Sequence, residues 1–373
     1  IRRVAIVGAG VSGLMAARYI QQECGAQLDT LRVFERCDRL GGVWIYSEKI
    51  ASRPDLPSRP MSLEEARRDP PVESPIYASL HTNLPHRLMA LTHRPYPSSL
   101  PDYPPYPDVL RYWEEFAHEH ALHAHIAFNT SVKLVERMVD RQAWRVVLEA
   151  VGATDTSATP STWEEEFDAV VVCNGHHQVA YTPPIPGLAA YCQRWPERVL
   201  HSCEYRRPEH HRDMDVMVVG NGPSAVDIAR DLRGHVRRLS RSIRSTPLTD
   251  ELRRIIGVPL VPEIAKPVEQ QAWLVLRDGR VVPAPDQLIF ATGYRYAFPF
   301  LPWLYEHDEN RGWPPVLARD GLSCRNLYRQ IYYTAAPTLA FLGVPTKVSI
   351  MALMERQVWH LASVLSGQCG LPP

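Results

Sequence analysis

The apolar positions of this chain fall into short unbroken runs separated by amphipathic stretches, the pattern of buried parallel strands joined by helices. Residues 4–7 form the first run, and residue 14 onward reads as a helix. Residues 31–34, 168–173, 215–220 and 236–239 repeat the strand pattern, with helices predicted over 108–120, 226–232 and 352–365. Residues 128–139 and 144–150 predict a β-hairpin-type excursion, followed by a polar loop at 151–162. A second hairpin is expected where 273–276 and 281–282 flank Asp278 and Gly279. The run 287–294 reads as a strand that returns the chain to its first domain. Residues 47–75 read as an inserted loop with one short helix, 62–68.

Two of the strand-to-helix joints carry glycines at telling spacing. The first is Gly8, Gly10 and Gly13, with Val11 and Ser12 between them. Gly8 permits a tight turn, Gly10 a close backbone approach to a pyrophosphate, and Gly13 close helix–strand packing. Glu35 ends the next strand, about 20 residues on, where an acid would hydrogen-bond ribose hydroxyls. The second joint is Gly220, Gly222, Pro223, Ser224 and Ala225, with alanine in place of the third glycine. At its ribose end stand Ser240, Arg241 and Ser242, and no acid. An arginine flanked by hydroxyls suits a 2′-phosphate, hence NADPH over NADH, although a solvated loop arginine is the plain alternative. The pair of motifs predicts an α/β fold class with two dinucleotide-binding, Rossmann-like, doubly wound domains. Residues 1–176 and 294–373 would form one discontinuous domain and 177–293 the inserted other.

Other candidates are weaker on their own. Leu40, Gly41, Gly42, Val43 and Trp44 read as a turn with an aromatic cover; after a βαβ unit they would also let backbone approach a flavin ring. Thr82 and Asn83 precede Leu84-Pro85, and sequence physics alone makes Asn83 a turn-former. His118, His120, His123 and His125 lack an HExxH arrangement and do not share one helix face, so no metal is expected.

Composition narrows the classes. The formal charge is zero, which points away from nucleic acid as a partner. Lys49, Lys133, Lys266 and Lys347 are the only lysines among 41 basic residues. Many of the 34 prolines cluster at 54–75 and 95–107, predicting irregular surface segments. The seven cysteines form no CxxC and read as free thiols in a reducing, cytoplasmic setting. No apolar run is long enough for a transmembrane segment. The start at Ile1 is compatible with a leader, and Pro372-Pro373 with a further C-terminal tail.

Taken in order, the two glycine motifs, Gly41 to Trp44, Thr82 to Pro85, His201 to Tyr205 and Phe290 to Tyr294 resemble the class B flavin-containing monooxygenases, most closely fungal members. The likeness runs over nearly the whole chain. The family's linker signature keeps His201 and Tyr205 but has Trp195 and Glu197 where Phe and Gly are usual. The resemblance implies FAD and NADPH as cofactors, O2 and a small molecule as partners, and a hydroperoxyflavin that oxygenates an amine nitrogen or sulfide sulfur. By the same resemblance Asn83 stands beside the flavin and is the catalytic candidate, while His201 supports the domain seam. Arg36, Val132 and Gly175 join the FAD contacts, with Tyr205, Thr292 and Gly293 on the NADPH or interdomain side. A homodimer is compatible with this reading. A Baeyer–Villiger monooxygenase and an amino-acid N-hydroxylase are the near alternatives. A pyridine-nucleotide disulfide reductase needs a cysteine pair that Cys37 lacks, and an oxidase or redox-responsive flavoprotein is more remote.

Overall fold

The computed structural model describes all residues except 51–52, 60, 153–160, 245–256, 307–311, 347, 373 and the Val139 side chain, so most of the expected polar loop at 151–162 lies outside the described residues. Its first sheet has seven strands. Arg3–Val7 lies near its middle, buried on both faces, between Ala169–Val172 and Thr30–Phe34. Leu339–Phe341 and Ile126–Ala127 extend the parallel set on either side, and a hairpin of Leu327–Tyr328 and Tyr332–Tyr333 closes one edge. Burial on both faces accounts for the unbroken valine and isoleucine runs. One face is covered by the helices Val11–Cys24, Tyr106–Glu119 and Ile350–Leu365, which share one apolar cluster with the sheet. The other face packs on a three-stranded meander, Thr130–Met138, Ala143–Ala150 and Thr162–Phe167, and on Phe298 to Tyr305. The third meander strand adds to the expected hairpin; its Glu-rich alternation hides it, since only Phe167 is buried there.

The second sheet is wholly parallel, in the order Leu260–Pro262, Arg238–Ile243, Asp215–Val219, Gln287–Phe290 and Val199–His201. Two expectations are corrected here. The strand read over 236–239 runs instead over Arg238–Ile243, so Arg241 lies inside the sheet, in register with Val218 and Leu260. A parallel neighbour on each side satisfies its backbone, which outweighs the poor strand propensity of Ser-Arg-Ser. The strand Gln287–Phe290 belongs to this second sheet, and the return follows it, where Tyr294–Arg295 pairs antiparallel with Val179–Ala180. The expected second hairpin forms from Trp273–Leu276 and Val281–Pro283, joined by Ile264–Val268.

The C-terminal helix is clamped to the first one by a buried carboxylate. Tyr19 Oη donates to Glu355 Oε1 at 2.7 Å, and the Thr92 amide and hydroxyl donate to its two oxygens at 3.0 and 2.7 Å. Burial opposes ionisation of Glu355, but these bonds outweigh it and hold its pKa below the ordinary glutamate value of 4.5. Its stabilisation is therefore complete above that value and is lost as pH falls through the lowered pKa. Glu355→Leu should cost about 1–2 kcal/mol at neutral pH by removing the charged acceptor of the half-buried Tyr19 hydroxyl and of Thr92. In urea melts the gap between parent and variant should narrow in acid; a gap independent of pH would contradict the assignment.

Candidate functional site

A cavity of about 310 Å³ opens where the parallel strands of the first sheet end, its wall including Val7, Phe34, Cys173 and Leu342. Ligands of open α/β sheets bind at such carboxyl edges. Gly8, Gly10, Val11 and Ser12 form its floor. Gly8 has φ +102°, and a Cβ there would stand 2.7 Å from the Cys173 carbonyl oxygen. Gly13 lies beneath the cavity: a Cβ on it would sit 1.9 Å from the Gly8 oxygen, so only glycine allows this helix to cross this strand. The helix Val11–Cys24 opens at Gly10 with no side-chain cap and no acid in its first turn, leaving amide donors and dipole for an anion.

Glu35 is 7% exposed and lines the cavity. Its Oε2 accepts from the Ala9 amide at 2.7 Å and its Oε1 from the Cys37 amide at 2.9 Å. Each oxygen keeps one lone-pair direction, enough for a pair of ribose hydroxyls. Gly41, Val43 and Trp44 line the opposite side, while Leu40 is buried in the core below. The Gly41 amide donates to the Ala9 carbonyl at 3.0 Å, and a Cβ at Gly42 would lie 2.9 Å from Gly10 Cα. The two glycine turns thus touch each other backbone to backbone, with no room for a side chain between them, and together form one bare-backbone edge of the cavity. Val132 and Gly175 also border the cavity. Arg36 borders it too, its guanidinium donating to the Pro70 and Pro71 carbonyls at 2.7 and 2.5 Å along the same wall.

Sequence reasoning missed several lining residues. The proline-rich insert supplies Val72, Ser74 and Pro75, and Ser74 Oγ donates to the Val43 carbonyl at 2.5 Å. Ile350, Met351 and Met354 come from the last helix, and His176, His177 and Gln178 follow Gly175. The histidines sit directly after a predicted strand end, a signal that was available; the insert and the last helix offered none.

The second glycine joint repeats the first. Gly220 has φ +137°, and a Cβ there would stand 2.4 Å from the Ala291 oxygen. The helix Pro223–Asp231 opens at Gly222 with no side-chain cap and no acid in its first turn; Ser224 is exposed and Ala225 packs inside. Arg241 is fully buried, and its Nη2 donates to Asn221 Oδ1 at 3.0 Å and the Gly220 carbonyl at 3.3 Å. Among the described residues its Nε and Nη1 have no partner. Burial lowers its pKa, yet a guanidinium stays charged. A buried cation with free donors beside a phosphate loop suits an anionic ligand. Ser240 is half-buried, and Ser242 is spent on the Pro262 carbonyl at 3.0 Å.

The remaining candidates lie outside the cavity wall. His201 is fully buried; Nδ1 accepts from the Cys203 amide at 3.2 Å, so Nε2 carries the proton toward the Gly293 carbonyl at 3.1 Å. Burial pushes its pKa down to about 4, which makes it a neutral strut. Thr292 Oγ1 donates to the Tyr181 carbonyl at 2.5 Å. Tyr205 is buried, its hydroxyl donating to Asp231 at 2.6 Å. Thr82 is buried with its hydroxyl on the Leu84 carbonyl at 2.8 Å. Asn83 is exposed beside it, its carboxamide without a hydrogen-bond partner among the described residues.

Comparison with known proteins matches this arrangement. The family model for flavin-binding monooxygenase-like proteins matches residues 1–249. The flavin-containing monooxygenase FMO GS-OX-like 2 of Arabidopsis thaliana is 33% identical over 387 residues, covering 100% of this chain and 75% of the relative. The flavin-containing monooxygenase iboF of Amanita muscaria is 30% identical over 434 residues, covering 100% and 80%. Among solved structures, S-allyl-L-cysteine S-oxygenase from Allium sativum superposes with a TM-score of 0.79 at 30% identity, covering 100% of this chain and 78% of that one. With its two glycine-opened helices and full-length likeness, the chain belongs to the flavin-containing monooxygenase family, whose members are oxidoreductases that use FAD and NADPH.

Proposed function

We propose that this enzyme transfers one oxygen atom from O2 to the sulfur of a small thioether. The observation that carries the flavin and NADPH half of this reading is the pair of uncapped, glycine-opened helices, one at a cavity with a ribose-type acid, the other beside a buried, under-bonded arginine. Sulfur is chosen over amine nitrogen because the S-oxygenase above is similar along the whole chain. In the balanced reaction NADPH, O2, a proton and the thioether give NADP⁺, water and the sulfoxide. FAD, when bound, supplies hydride acceptance and oxygen activation.

The protein's own part is positioning. Residues 1–176 and 294–373 hold FAD, and 177–293 hold NADPH. Gly8, Gly10, Val11 and Ser12 take the FAD pyrophosphate, Glu35 the ribose, and Gly41 to Trp44 with Val132 and Gly175 the rest of the molecule. Gly220 to Ala225 take the NADPH pyrophosphate, and Arg241 the 2′-phosphate. Asn83, exposed with a free carboxamide, is assigned to the reacting end by its place in the family's motif. A thioether lone pair needs no side-chain base, so orientation and exclusion of water suffice. Seven free thiols fit a reducing, cytoplasmic setting.

Incubating the holoenzyme with NADPH and O2 against a thioether, a tertiary amine and a cyclic ketone should give sulfoxide in step with NADPH consumed. Lactone as the main product would overturn the substrate class. Arg241→Ala should raise KM for NADPH by about 10- to 100-fold while sparing NADH, through loss of charge-assisted bonds of about 1.5–3 kcal/mol each. Equal losses for both coenzymes would refute its role. Asn83→Leu should keep its FAD and consume NADPH but release hydrogen peroxide in place of product; unchanged product formation would remove Asn83 from the mechanism.

A further inference from the structure

Two acids sit badly on the helix that opens at the second glycine loop. Asp227 and Asp231 are like charges one turn apart, and Asp231 ends the helix where the dipole disfavours a carboxylate. Arg230 offsets Asp227 in part, at 3.2 Å. What both acids do is accept hydroxyl bonds across the seam. Tyr77 Oη donates to Asp227 Oδ2, and Ser79 Oγ donates to Asp231 Oδ2 at 2.6 Å. Tyr205 Oη donates to that same Asp231 oxygen, also at 2.6 Å, with its ring edge-on to Tyr77 at 5.3 Å.

Tyr77 and Ser79 belong to the strip that runs into Asn83. Its first half is bonded to the second sheet's side: besides the two hydroxyls, the Ala78 amide donates to the Arg206 carbonyl at 3.0 Å, and the Tyr77 ring lies in that side's apolar cluster. Its second half is bonded to the first side: the Leu80 carbonyl accepts from the Tyr106 amide, and the Thr82 amide donates to Pro104, both at 3.0 Å. Hydrogen-bond allegiance therefore changes between Ser79 and Leu80, four residues before Asn83, while the Leu80 side chain still packs on the second side's apolar cluster. Burial, with the carboxylates opposite, pushes both phenols far up, so they stay donors across the working range.

We propose that Tyr77, Ser79, Asp227 and Asp231 form a latch of positioning residues: the strip bearing Asn83 rides on the helix whose other end takes the NADPH pyrophosphate. Filling the second nucleotide site thereby sets where Asn83 stands. A helix of nine residues is a strut about 13 Å long that carries a displacement from one end to the other. This inference rests on the reading of Asn83 given above.

The test is amide hydrogen exchange of the FAD-loaded protein with and without NADP⁺, reading residues 78–88, beside the hydrogen peroxide released per NADPH oxidised. In the parent, NADP⁺ should slow exchange in this strip at least about threefold. In the Tyr77→Phe/Ser79→Ala double variant that response should vanish, peroxide per NADPH should rise severalfold, and NADP⁺ affinity should stay within about threefold. Ser79→Thr should retain the parent's response. Asp231→Asn, nearly the same shape, weakens the latch from the other side and should diminish it should the double variant lose its flavin. A parent strip indifferent to NADP⁺, or variants that respond as the parent does, would overturn the latch. Should Asn83→Ala release no extra peroxide while the strip still responds, the Asn83 reading fails and the latch stands.

Discussion

No side chain fits where Gly10 meets Gly42, and the rest of the molecule is built around that contact. The two turns come from different segments, one ending the first strand and the other following Glu35. Each must present bare backbone to the other, and together they present it to the cavity beside them. Gly13 makes the first turn feasible by letting the helix cross directly over the Gly8 carbonyl. The flanking strands, the meander and the C-terminal helix hold the two turns in register, and the proline-rich insert is tied to them through Ser74 and Arg36.

The chain uses the same strand–turn–helix device twice and separates its two uses by one charge. At the first joint a buried carboxylate is held by two backbone amides, an arrangement suited to neutral hydroxyls. At the second a buried guanidinium has two nitrogens without partners among the described residues, an arrangement suited to added negative charge. Both helices leave their first turns uncapped. In a helix without a ligand that leaves amide donors unmet, although glycine at the cap costs only about a few tenths of a kcal/mol against a side-chain cap.

Between the two halves lies a seam of mixed contacts, with Glu48 paired to Arg207 and Arg53 to Glu204 across it, and neutral bonds that brace its second side. His201 is locked as the uncharged tautomer by one amide and one carbonyl, and Thr292 closes on the strand-to-strand link. Beside these ion pairs, the two acids of the second helix are met from the first side by the hydroxyls of Tyr77 and Ser79. Such bonds fix direction at little desolvation cost compared with buried ion pairs.

Local chemistry was legible in the sequence because it depends on neighbours along the chain. Strands buried on both faces must be apolar throughout, and turns at a phosphate must be glycine, so both nucleotide joints and Glu35 could be read directly. Arg241 could be picked out but not placed, because its strand exists only through parallel partners about 20 residues before and after it. The same holds for the Glu-rich third meander strand. Which distant residues complete the cavity wall was decided by tertiary structure alone. Met351 and Val72 are distant in the chain from the glycine turns and carry no pattern of their own; they line the site because packing brings them there. Sequence determined the conformations that backbone sterics and burial permit, and the three-dimensional fold decided which distant groups share one space, since that depends on long-range contacts no local window contains.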